Sequence, residues 1–461
     1  MRRRKTFFSE IKERKVRKGL IFSTWDGSFW AVMFGFAENY IIPFAVLFGA
    51  NAFQVSLITA TSQLGIAGGQ LTGAKFIQRF KKRKVLAMIC VSIHALSWLG
   101  VFYGTWLTRS VWVILMFFTA GFLAGNFAAP GWVSWMNDLV PPQIRGRFWG
   151  FRNRAIGITQ FAAITLAGVL LFFAAKGKWE ISAFGILFTL AAVARGFSLR
   201  PLSKQYEPSM TVPEKSEEFR FLVFLTKLRT TNFGRFALFS FFMTFSVNIM
   251  GPLVSVHLLK SLQFNYLQYM AVIMAAIVFS FVAMNYWGPL TDRYGNYRIL
   301  TATAIALPIL PIGFVVLKSA PWLVLVQIFS GFVWAGFNLS TANFIYDAVR
   351  KENISKIFAY FNTVNNVAAF AGSLTGGFLT HLTRLLVIPR FGSSNLELIF
   401  ALSAFMRIII ILVFIRGFRE VRQVEKSPGL EHFYIYQPMT NIINRFRPMN
   451  GRRSRDREEG K

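Results

Sequence analysis

Residues 110–154 read SVWVILMFFTAGFLAGNFAAPGWVSWMNDLVPPQIRGRFWGFRNR, and the contrast between the two ends of that stretch decides the fold. No charged residue stands between Arg109 and Asp138, whereas Arg145, Arg147, Arg152 and Arg154 crowd the other end. A hydrocarbon core of about 30 Å is crossed by about 20 mostly apolar helical residues. The stretch is therefore one membrane span followed by a basic loop. The same reading over all 461 residues gives twelve spans, near 23–48, 52–73, 85–107, 110–137, 150–174, 181–199, 233–258, 267–290, 297–317, 321–346, 357–382 and 395–416. The sequence predicts an all-α membrane protein.

Charge fixes the orientation. The chain has 51 Lys and Arg against 20 Asp and Glu, a formal charge of +31. So basic a balance also suits nucleic-acid binding, but its distribution argues against that partner. With the N-terminus in the cytoplasm, 42 basic residues fall in the two tails and five inner loops, seven in the outer loops, and Arg195 and Arg407 inside spans. The positive-inside rule then puts both termini in the cytoplasm. The clusters at 2–18 and 451–457 are solvated tails or contacts for anionic lipid headgroups. Cys90 is the single cysteine, so no intrachain disulfide forms. The basic N-terminus runs directly into a full span, without the short apolar core and cleavage site of a signal peptide. Trp25, Trp30, Tyr103, Trp106 and Trp112 stand near span ends, as an aromatic belt requires.

The chain repeats itself. AKFIQRFKKRKVL after span 2 aligns with GPLTDRYGNYRIL after span 8, placing Arg79 on Arg293 and Lys84 on Arg298. Asp138 to Leu170 aligns without gaps on Asp347 to Leu379, and span 6 aligns on span 12 with Arg195 on Arg407. Three matches in order at nearly constant offset predict two pseudo-symmetric six-helix bundles related by an axis along the membrane normal. The expected organisation is a basic tail (1–22), a first bundle (23–199), a linker (200–232), a second bundle (233–418) and a basic tail (419–461). In the linker, Pro201 to Glu218 reads as flexible, and EEFRFLVFLTKLRTTN (217–232) as an interfacial amphipathic helix. The last tail reads as largely disordered.

At this point the sequence resembles the major facilitator superfamily of secondary transporters, over about residues 20–418. GPLTDRYGNYR (288–298) looks like that family's inner-loop motif, roughly G-x-x-x-D-R-x-G-x-x-R, which carries Gly288, Asp292, Arg293, Gly295 and Arg298. Gly288 lets helices approach closely, Gly295 permits a tight turn, and the charged residues form charge-assisted bonds to the other bundle. The resemblance implies a cytoplasmic gate in which Asp292 faces the start of span 5, near Arg145 and Arg147. The first half departs from the motif, with Gln78 for the aspartate and Lys81 for the glycine, so its lock is expected to be weaker or differently built. NDLVPPQIRGRFWGFRN (137–153) resembles the family's loop between spans 4 and 5. Asp138 and its repeat partner Asp347 join the gate set.

Ionisable groups inside spans carry function by default, because burying them in hydrocarbon is costly. Glu38 stands near the middle of span 1 beside Asn39, with Pro43 five residues on; span 1 lines the central cavity in the resembled family. A carboxyl there suits proton coupling or a cationic substrate, or is a hydrogen-bonded packing group. Asp26 reads as a helix cap or a partner for inner arginines. Arg195 is expected to snorkel to the inner headgroups; Arg407, deeper, either does so or pairs with a carboxyl. Asn126, Asn248, Trp334 and Asn338 fall in the implied cavity spans, and Asn365 and Asn366 add polar wall, unless each asparagine bonds a neighbouring helix instead. His94 reads as a packed histidine.

There is no GxxxxGK[ST], no HExxH and no paired-cysteine site. No catalytic, cofactor or metal centre is expected, and the protein is not expected to be an enzyme. Span 5 lacks the G-x-x-x-G-P-x-x-G-G pattern of drug antiporters, and the sugar-porter signatures are missing. The resulting expectation is a monomeric secondary transporter of the plasma membrane (the inner membrane of a bacterium). It moves a small solute by alternating access, coupled to protons through Glu38. Two rivals stay open: a transporter-like receptor or scaffold, and an uncoupled facilitator.

Overall fold

The computed structural model describes residues 11, 13–80, 82–210, 221–349, 354–385 and 395–422. Ten of its helices are long and apolar enough to cross a membrane: α1 (Arg14–Leu47), α3 (Arg83–Thr108), α4 (Val111–Leu139), α5 (Pro142–Lys176), α6 (Glu180–Lys204), α7 (Asn232–Ser261), α8 (Tyr266–Tyr294), α9 (Asn296–Val316), α10 (Ala320–Ala348) and α12 (Leu396–Gly417). Two more, α2 (Ala52–Phe80) and α11 (Ile354–Leu385), have the length but are more polar. They carry Gln54, Ser56, Ser62 and Gln70, and Asn362, Asn365, Asn366 and Ser373. These two helices pack on each other. Side chains that face a protein interface rather than lipid need not be apolar, which explains the lower hydropathy.

The helix starts repeat the same local chemistry. At α2, Asn51 Oδ1 accepts from the Gln54 N–H at 2.8 Å and Gln54 Oε1 accepts from the Asn51 N–H at 3.0 Å. At α8, Asn265 and Gln268 make the same pair of bonds at 2.9 and 3.1 Å. A side-chain cap of this kind contributes about 1 kcal/mol by satisfying otherwise orphaned N–H groups. The packing repeats as well. In the first half α1 packs on α5 and α6, α2 on α4, and α3 on α4 and α6; in the second α7 packs on α11 and α12, α8 on α10, and α9 on α10 and α12. Each pairing in one half has its counterpart six helices on.

The halves meet through α2 with α11 and α5 with α8. Small residues permit both contacts: a Cβ on Gly377 would lie 2.7 Å from Ser56 Cβ, and one on Gly168 would lie 2.6 Å from Met270 Sδ. At the end away from the chain termini a single apolar cluster joins both bundles, including Tyr40, Phe44, Phe184, Leu253 and Tyr269. There Tyr40 and Tyr269 stand 6.4 Å apart, and Lys260 Nζ donates to the Ala50 carbonyl at 2.7 Å. Toward the termini the apolar clusters separate. Phe236, Phe344, Phe361 and Phe418 belong to one confined to the second half, and Leu20, Trp135, Phe148 and Leu202 to one confined to the first. The bundles are thus sealed at one end and individually packed at the other.

The linker differs from its expected flexibility. Gln205 is fully buried, Trp135 Nε1 donates to the Tyr206 carbonyl at 2.8 Å, and Lys84 Nζ donates to the Gln205 carbonyl at 3.1 Å. The segment from Pro201 to Met210 is therefore strapped across the ends of α3 and α4. The expected amphipathic helix covers Phe221–Thr226 among the described residues and buries Phe224, with Phe221 5.2 Å from Tyr360, so its aromatic face meets α11. Lys81, residues 211–220, most of the first tail and residues 423–461 lie outside the described residues.

Candidate functional site: a broken helix and a buried charge cluster

Glu38 occupies a break in α1. The helix runs to Phe36, passes through Ala37 at φ −118°, makes one tight turn over Glu38–Tyr40 and resumes at Ile41. Pro43 has no N–H to offer the Asn39 carbonyl, which loosens the ladder there. Glu38 and Asn39 are half-buried, and the Asn39 Nδ2 has no hydrogen-bond partner among the described residues. The Glu38 carboxyl makes no hydrogen bond or ion pair with another described residue. Tyr40 is fully buried and donates to the Ile164 carbonyl of α5 at 2.8 Å, which pins the break against the helix that meets the second bundle.

Below the break lies a cluster that the sequence reading did not assemble. Arg195 is buried, not snorkelled to headgroups: its Nη1 lies 3.5 Å from Asp26 Oδ1 and donates to Ser198 Oγ at 3.2 Å. Ser198 Oγ also donates to Asp26 Oδ1. The expected headgroup contact fails because α6 packs on α1 along the face that bears Arg195, and an acid waits there. Arg152 is buried too, with Nε donating to the Ser23 carbonyl at 3.3 Å and its guanidinium 4.7 Å from the Trp132 ring centre. Asp26 is thus a partner for arginines, one of its two expected roles. Arg407, the repeat counterpart of Arg195, pairs with no carboxyl among the described residues; Nη1 donates to the Leu307 carbonyl at 2.9 Å. Pro311, lacking an N–H, leaves that carbonyl without its usual helical donor.

The other expected cavity residues divide. Asn365 is engaged between helices, accepting from Ser240 and Thr244 at 2.9 Å each and donating to the Phe361 carbonyl at 2.9 Å. Asn126 and Asn248 are half-buried, each donating to a carbonyl of its own helix, Phe122 at 2.9 Å and Thr244 at 2.8 Å. Trp334 and Asn366 are half-buried and Asn338 is exposed. His94 is buried as a packed residue against Trp98, ring centres 6.0 Å apart, and neither ring nitrogen has a partner among the described residues.

Asp138 and Asp347, two of the residues expected at a gate, sit in parallel arrangements. Arg83, almost fully buried, donates to Asp138 Oδ2 at 2.5 Å, to Ser134 Oγ at 3.1 Å and to the Pro208 carbonyl at 2.7 Å, and it lies 3.4 Å from Glu207. In the second half Asn296 Nδ2 donates to Asp347 Oδ2 at 2.6 Å. Each joins the start of the third helix of its half to the end of the fourth. Gly295 has φ +89°, which favours glycine, as the motif requires. Gly288 differs from its expected role, since a Cβ there would meet nothing within 4 Å in this form. Asp292 is exposed and 3.9 Å from Arg422, just past the end of its own bundle. Arg145 and Arg147 are exposed, and Arg293 lies 5.2 Å from the Tyr294 ring centre. Arg298 is also exposed.

Comparison with known proteins agrees with this architecture. The family model described as Major Facilitator Superfamily matches residues 27–373 and 236–449. The multi-drug resistance efflux pump PmrA of Streptococcus pneumoniae is 25% identical over 161 residues, 35% of this chain and 38% of that protein. The match therefore spans less than half of that relative. Among solved structures, the nucleoside transporter NupG has a TM-score of 0.64 at 12% identity, covering 88% of this chain and 99% of that one. An autoinhibited POT-family peptide transporter gives 0.69 at 12% over 89% and 98%. A D-xylose-proton symporter gives 0.63 at 16% over 89% and 99%.

Proposed function

Because the chain belongs to the major facilitator superfamily, and so to a family of membrane transporters, we propose that it is a proton-coupled secondary transporter of a small solute, with Glu38 as the coupling carboxyl. One observation carries this reading: a half-buried carboxyl stands at the break of α1 without a hydrogen bond or ion pair to another described residue. An unpaired carboxyl in hydrocarbon is costly and is retained where it exchanges a proton or meets a ligand. Alternating access would rock the two bundles about this level. The apolar seal at one end and the separate clusters at the other support an inward-facing form, with both termini in the cytoplasm and the protein in the plasma membrane. The exposed Asp292 suits that form, in which the cytoplasmic gate is apart.

The test is thermal stabilisation of detergent-purified protein against nucleosides, pentoses, short peptides and lipophilic cations at two pH values. A binder raises the unfolding midpoint by mass action. The reading expects at least one class to stabilise wild type in a pH-dependent way, and the pH dependence to vanish in Glu38→Gln. Equal pH dependence in both proteins removes Glu38 from the coupling role. Stabilisation that ignores pH in wild type identifies an uncoupled facilitator.

A further inference from the structure

Arg152 is a buried cation with most of its donors unused. It is 8% exposed, and groups from three helices hold its guanidinium in place. Nε donates to the Ser23 carbonyl of α1 at 3.3 Å. The Trp132 ring of α4 and the Trp149 ring of α5 have their centres 4.7 and 5.6 Å from the guanidinium carbon. Gly27 of α1 makes the room, since a Cβ there would lie 2.7 Å from Nη2 and 2.6 Å from Ile156 Cδ1. The bond to Ser23 uses one of the five N–H donors of the side chain. The other four, on Nη1 and Nη2, reach no acceptor among the described residues, and neither nitrogen is shut off from solvent. Trp132 Nε1, on the nearer ring, is a further buried donor with no partner among the described residues.

The charge is left over as well. Arg152 makes no ion pair with a described residue, and Asp26, next to Gly27, is engaged by Arg195 at 3.5 Å and by the Ser198 hydroxyl. Two arginines against one aspartate leave one positive charge, and each of the three is less than one-tenth exposed. A buried unpaired charge is costly, and cation–π contacts offset only part of that cost. Inside a span such a charge points to a ligand. Arg145, Arg147 and Arg154, exposed on the same helix, add a positive field that favours an anion.

We propose that the transported solute carries an anionic group, a carboxylate or a phosphate, and that Arg152 anchors it through the Nη1–Nη2 edge. This rests on the transporter reading and adds the substrate class to it. A guanidinium presents parallel N–H groups that two oxygens of one anion accept together. Trp132 and Trp149 fix the plane of that fork, Ser23 fixes its rotation and Gly27 gives it space. A lipid headgroup phosphate offers the same oxygens, and the test separates the two sources.

Thermal unfolding of the full chain in delipidated detergent solution tests this, with benzoate, succinate and phenyl phosphate each set against its uncharged counterpart, benzamide, succinamide and phenol. A binder raises the midpoint by mass action, and a titration gives its affinity. At least one anion should bind wild type about tenfold or more tightly than its counterpart, as charge-assisted bonds require. Arg152→Gln should remove that preference, and Arg152→Lys should weaken the anion about tenfold, because a point charge lacks the fork. Gly27→Ala keeps the arginine but fills its seat, and should weaken the anion likewise. The midpoint of each variant without anion reports its folding, and Arg152→Lys and Gly27→Ala carry the test if Arg152→Gln does not fold. Anion binding unchanged in the Arg152 variants, or no anion preferred over its counterpart, overturns the proposal. Stabilisation by dihexanoylphosphatidylglycerol that depends on Arg152, with no soluble anion bound, assigns the fork to a headgroup and overturns the solute anchor. The pH dependence that Glu38→Gln removes bears on proton coupling alone, so the two readings fail separately.

Discussion

Replacing Arg83 by alanine should weaken the first bundle more than any surface change of equal size. The side chain is 1% exposed and holds Asp138 at 2.5 Å, Ser134 at 3.1 Å, the Pro208 carbonyl at 2.7 Å and Glu207 at 3.4 Å. Removing one partner of a fully buried ion pair costs about 3–5 kcal/mol. The acids left behind are 13% and 27% exposed, so water screens part of that loss. A cost of about 2–3 kcal/mol remains, which corresponds to a fall in unfolding midpoint on the order of 5 °C. Differential scanning fluorimetry on the detergent-purified protein reads it directly. Asp138→Asn in the Arg83→Ala background should then add far less than it does in wild type, because the partners act as a unit. A midpoint within one degree of wild type, or fully additive effects, would refute the reasoning, and with it the claim that the linker strap is held through Arg83.

Four further outcomes follow from the geometry. Gly295→Ala places a side chain at φ +89° and ψ 158° and should destabilise by about 1–3 kcal/mol, read as a lowered unfolding midpoint. Gly168→Ala puts a Cβ 2.6 Å from Met270 Sδ and 2.7 Å from the Tyr40 hydroxyl across the bundle contact. It should open the sealed end and raise several-fold the alkylation rate of a cysteine introduced by Leu47→Cys; an unchanged rate contradicts the seal. Asp292→Asn should leave the unfolding midpoint unchanged, since the carboxylate is 77% exposed. It should also bias the bundles toward the inward-open form and lower turnover; unchanged accessibility and transport remove Asp292 from the gate. Phe224→Ala should lower the midpoint by about 3 kcal/mol equivalent if the short linker helix is docked on α11, and by almost nothing if it floats on the membrane.

The fold was legible because its signals are local or periodic. Span lengths, the two-half repeat and the glycine at 295 depend on residues a few positions apart or on a constant offset. The capping boxes at Asn51 and Asn265 went unread, although Asn and Gln three apart before an apolar run are a helix-start signal. The buried charges were not legible. Asp26 and Arg195 are 169 residues apart and meet only because α1 and α6 share a face. An arginine near a span end looks the same in sequence whether it snorkels or turns inward. Arg83 was concealed in the same way, as one more basic residue in a topogenic loop. The asparagines show the converse limit: Asn365 has the composition of a cavity residue, but its carbonyl is spent on Ser240 and Thr244.

The most direct measurement is charge movement in proteoliposomes on a solid-supported membrane, with the solute class that stabilises the purified protein applied across a pH gradient. The account predicts a solute-evoked current in wild type that grows with the inward proton gradient and disappears in Glu38→Gln, while solute binding persists. A solute-evoked current of the same size and pH dependence in both proteins would contradict it.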